Sequence, residues 1–64
     1  MNIQENADYF KYLFELRESG ETNMFGAGAD LEDAFDLEKK QAREIVRYWM
    51  KNFDLVASEL GIEV

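Results

Sequence analysis

The sequence predicts an all-α fold, a compact three-helix domain with a helix-turn-helix-like pair and a long C-terminal helix. Three observations carry this expectation. Three segments set their apolar residues at helical spacing, none alternates apolar and polar residues as a half-buried strand would, and proline is absent throughout. The 64 residues amount to a single domain, 1–64, and 47% of them are apolar, too rich for a disordered tail.

The first helix is expected over about residues 3–19. Asn2 followed by Glu5 has the form of a capping box with Asn in place of Ser or Thr. Tyr9, Leu13 and Leu16 fall at i, i+4 and i+7, and Phe10 with Phe14 widens the stripe. Tyr12 lies off that face, and Gly20 is a C-terminal stop.

A second helix is expected over about 25–35. Met24, Ala27, Leu31, Ala34 and Phe35 keep a 3-4 spacing, with Thr22 or Asn23 as N-cap. Gly26 and Gly28 each cost about 1 kcal/mol relative to Ala inside a helix. Regular helix is therefore placed from Ala27–Ala29 onward, with Met24 and Phe25 as an apolar lead-in.

The third helix is expected over about 38–60. Ala42, Ile45, Val46, Trp49, Phe53, Val56 and Leu60 hold one face, and Gly61 closes the run. One continuous helix is preferred. A break near Asn52–Asp54 is the alternative, since either residue can cap a new helix. Trp49 sits mid-stripe and is expected to be more buried than Tyr48, which points about 100° away.

The segment "MFGAGAD" raises the question of a phosphate loop. A dinucleotide fingerprint needs a third glycine at the position held by Leu31, and a P-loop needs a Gly-Lys-Ser/Thr run that is absent. Asp30, Glu32 and Asp33 would also repel phosphate. The glycines are read instead as letting the backbone turn and approach a neighbouring helix closely. The same acids fail as an EF-hand loop, because Ala34 and Phe35 occupy positions that need a ligand and a glycine. There is no histidine or cysteine to complete a metal set or to activate Ser19, Thr22 or Ser58. Neither cofactor, metal, small-molecule substrate nor enzyme activity is expected.

Net charge is −7, against general attraction to nucleic acid, but it is unevenly spread. Residues 1–36 hold nine acids and two bases (−7), residues 37–53 five bases and two acids (+3), and residues 54–64 three acids (−3). The basic segment coincides with a helix-turn-helix pattern in which Leu31, Phe35, Leu37, Ala42 and Ile45 take the apolar positions. Lys40, Arg43, Arg47 and Lys51 then form a stripe opposite the apolar face. Candidate nucleic-acid contacts are Lys39, Lys40, Gln41, Arg43 and Arg47; the alternative is a solvated basic face, paired along the helix with Glu44 and across to the acidic segments. Three residues depart from the pattern: Asp36 where the turn usually has Gly, Glu32 where a small residue packs, and Glu38 as a poor cap.

"LRESGETNMFGAGADLEDAFDL…AREIVRYWMKNF", about residues 13–53, resembles small proteins encoded by tailed and marine bacteriophages. The likeness is carried by Ser19, Gly20, Thr22, Asn23, Met24, Phe25 and Gly26, by Leu31 with Phe35, and by Ala42, Arg43, Trp49 and Met50. It implies a phage origin and assigns no site residue.

Two functions compete. One is a regulatory module that contacts DNA through the basic helix. The other is an interaction module that modulates a host protein, with off-stripe aromatics such as Tyr12 and Tyr48 available to the partner. A homodimer is expected for so short a chain, with its seam at Phe53, Val56 and Leu60. No secretory leader or membrane span is read at the start of the chain or within it, and a cytoplasmic location follows as the expectation.

Overall fold

The computed structural model describes residues 1–20 and 26–63, and among them all regular structure is helical. Four helices follow in order: α1 (Ala7–Ser19), α2 (Ala27–Phe35), α3 (Lys39–Lys51) and α4 (Phe53–Leu60). The expected caps Thr22 and Asn23 and the lead-in residues Met24 and Phe25 lie outside the described residues. No helix is long and apolar enough to cross a membrane.

α1 begins four residues later than its apolar pattern suggests, and the cause is local. Asn2 Oδ1 accepts the Glu5 N–H at 3.0 Å, as the capping pattern predicts. Asn6 then donates its side-chain Nδ2 to the Asn2 carbonyl at 2.7 Å, and its backbone N–H bonds the carbonyls of Asn2 and Ile3. These bonds hold residues 3–6 in a turn that competes with helix. Gly20 closes α1 in the left-handed conformation at φ 67°.

α2 opens at Ala27, where the cost of the two glycines placed it. It ends at Asp36, the one non-glycine with positive φ among the described residues (φ 53°, ψ 48°). The Asp36 and Leu37 N–H groups both reach the Glu32 carbonyl, the second at 3.1 Å, in a Schellman-type closure. Asp tolerates this region better than most residues, but only glycine enters it freely. Asp36→Gly is therefore expected to raise stability by roughly 0.5–1 kcal/mol, read as a higher urea midpoint at unchanged slope.

The expected continuous third helix is two helices. Asn52 departs from helical geometry at φ −122°, ψ 34°, while its N–H and its Nδ2 both bond the Tyr48 carbonyl. The Asn52 carbonyl accepts the Val56 N–H at 2.8 Å and so opens α4. A straight helix over 38–60 would run about 35 Å. The molecule is only 26 Å in its longest dimension, so the break keeps the C-terminal segment on the body of the protein. Gly61, at φ 69°, ends α4, and the Ile62 N–H reaches back to the Ala57 carbonyl at 2.8 Å.

One core joins the four helices. Phe10, Leu13 and Phe14 from α1 meet Ala27 and Leu31 from α2, Ala42, Ile45, Val46 and Trp49 from α3, and Val56 and Ala57 from α4. Trp49 is 1% exposed and Tyr48 half-buried, as the helical phase requires. The indole stands edge-on to Phe14, with ring centroids 5.5 Å apart, and tilts against Phe53 at the same distance. Its Nε1–H finds no acceptor among the described residues. Gln4 donates its side chain to the Glu59 carbonyl at 3.0 Å, tying the N-terminal turn to the end of α4.

Candidate nucleic-acid interface and the groove beside it

α2, the turn 36–38 and α3 make the helix-turn-helix-like pair. α2 packs on α3 more extensively than on any other helix. Leu31, Ala42 and Ile45 are buried and Phe35 and Leu37 half-buried, so the expected apolar set does hold the pair together. Glu38 stands in extended geometry before α3 without a side-chain cap, as its chemistry suggests, and only its carbonyl takes part, accepting the Ala42 N–H at 3.0 Å.

Lys39, Lys40, Gln41, Arg43 and Arg47 are all exposed. They do not form one contact face. On a helix, Gln41 lies about 160° around the axis from Arg43, while Lys40 and Arg47 lie within about 20° of each other. Lys40 lies opposite the core-facing residues by helical phase. Lys39, Arg43, Arg47 and Lys51 border the space between α3 and α2. Among the described residues none of these cations makes an ion pair within 4.0 Å, so the stripe is not spent balancing the chain's own acids.

That space is a feature that the sequence reading missed. A groove of about 540 Å³ runs between α2 and α3. Gly28, Ala29 and Glu32 form one side, and Lys39, Arg43, Arg47 and Lys51 line the other. Val46 and Met50 complete it with apolar surface, Met50 being 49% exposed. The reading of Gly28 as a point of close helix approach is corrected here. A Cβ placed on Gly28 meets nothing within 4 Å, so the missing side chain leaves space rather than contact. The one advance signal was the Gly28–Ala29 pair, two small residues side by side on a helix facing a basic one.

Two other expectations change. The off-stripe aromatics are occupied within the chain: Tyr12 stands edge-on to Phe35 at 5.5 Å, as the on-stripe Tyr9 does at 5.0 Å, and Tyr48 meets Phe10 at 6.0 Å. Phe35, at the end of α2, covers the flank of α1 that the stripe alone left open. The proposed seam is likewise committed to the chain's own core. Val56 is fully buried, Leu60 is half-buried, and Phe53 packs on Phe14 and Trp49 with the Arg17 guanidinium 4.9 Å above its ring. Among the described residues the exposed large apolar side chains are Met1, Met50 and Leu55 instead.

No protein-family model matches the chain, and no curated protein or solved structure is significantly similar to it.

Proposed function

We propose that this chain is a non-enzymatic regulatory module of phage type that contacts duplex DNA through α3, with α2 and the turn as its support. The observation that carries the reading is the exposed set Lys40, Arg43 and Arg47, without an ion pair among the described residues, on the second helix of a helix-turn-helix-like pair. Phosphate contacts of this kind position a protein on duplex DNA, and base edges are then read by neighbouring side chains on the same helix. The serines and threonine have no histidine or cysteine to activate them, which supports a binding role over a catalytic one.

An anisotropy titration against labelled duplex at two salt concentrations tests this. Three neutralised phosphates give a slope of roughly −2.7 in log K against log salt, so affinity falls steeply as salt rises. No binding at low ionic strength would refute the reading. The competing reading, an interaction module for a protein partner, draws on the apolar surface of Val46 and Met50 in the groove beside the basic stripe.

A further inference from the structure

We infer that the α2–α3 groove docks an acidic amphipathic helix of a partner protein. This goes beyond DNA contact and does not depend on it. The first argument is charge. Lys39, Arg43, Arg47 and Lys51 against Glu32 give the groove +3, while the rest of the chain sums to −10, since −10 + 3 = −7. A cationic groove on so acidic a body attracts a short anionic segment locally.

The second argument is spacing. The four cations recur every fourth residue along α3, and from Lys39 to Lys51 they span about 18 Å, or about three turns of a facing helix. A partner helix with acids at i, i+4 and i+8 meets them in register.

The third argument is the kind of surface between the charges. The half-exposed Met50, with only the edge of the core residue Val46 beside it, offers thioether surface that adapts to Leu or Phe anchors. At Gly28 the opposite wall carries no side chain, and a Cβ there would meet no described residue within 4 Å, so a partner backbone can come close at that point. A nucleic acid fits the groove less well. No aromatic ring is among its described lining residues to stack the bases of a single strand. Because Arg43 and Arg47 also belong to the DNA-facing stripe, an acidic helix and DNA would compete for this protein.

The test uses a fluorescein-labelled amphipathic peptide of about four turns, with Leu at i, i+4 and i+7 flanked by Glu, titrated with the full-length protein. A control peptide keeps every Glu and replaces each Leu with Ser. Saturable binding is expected for the Leu peptide, weakened about tenfold or more in the control and in Met50→Glu. Gly28→Leu fills the groove without touching a cation, so it should abolish peptide binding and leave binding of a DNA duplex in place. Circular dichroism melts confirm that both variants fold. Equal affinity for the two peptides, or peptide binding unchanged by Gly28→Leu, would overturn the proposal. So would duplex binding with no peptide binding. Peptide binding without duplex binding sustains this inference and removes only the DNA reading.

Discussion

Replacing Trp49 with alanine is expected to leave the protein largely unfolded at 25 °C. The side chain is 1% exposed and joins α1 to α3 and α4 through Phe14 and Phe53. Removing so large a buried ring costs about 3–5 kcal/mol in lost transfer energy and cavity. A single core in a chain of this length rarely supplies more than about 3–5 kcal/mol, so the loss takes most or all of it. Trp49→Phe separates packing from hydrogen bonding. The indole N–H has no acceptor among the described residues, so Phe removes volume without breaking a bond, and the cost should fall to about 1–2 kcal/mol. Urea melts of the three proteins measure both steps. An alanine variant that melts like the parent would mean the aromatic cluster contributes nothing.

The second large effect is on binding. Changing Lys40, Arg43 and Arg47 together to Gln should abolish measurable duplex binding at moderate salt. Each side chain that neutralises a phosphate contributes about 0.9 to the salt slope, so the slope itself should shrink by roughly 2.7. The fold should survive, because all three residues are exposed and none is in the core. Net charge falls from −7 to −10, and with no ion pair broken among the described residues the melting temperature should move by only a few degrees. A triple variant that binds as tightly as the parent would sink the DNA reading. One that binds weakly and also melts far below the parent would show that the stripe is structural.

Much of the fold was readable in the residues because the readable parts depend on nearest neighbours in one helix. The stripe through Ala42, Ile45, Val46 and Trp49 sets the phase of α3 by itself, and Leu31 with Phe35 does so for α2. The break at Asn52 was not decided by that stripe, since Trp49 before it and Phe53 and Val56 after it stay apolar and inward. A kink of one residue barely disturbs periodicity. What settles it is the size of the body the helix must stay on, which is a tertiary quantity. Phe35 shows the same limit: nothing in α1 says which ring will cover Tyr9 and Tyr12. The basic residues were found at once, because charge is written in the sequence. The groove was not, because it exists only where Gly28 on one helix faces Arg43 on another.

Links of seven, three and one residues join the helices, and α1 with α2, α2 with α3 and α3 with α4 pack together, with α1 also on α3. Most neighbours in space are therefore near neighbours along the chain. Folding speed follows that separation, and small helical domains with local topology fold within about microseconds to milliseconds. A protein made this way reaches its native state soon after its last residues leave the ribosome. It has little time in which exposed aromatic rings could find other unfolded chains.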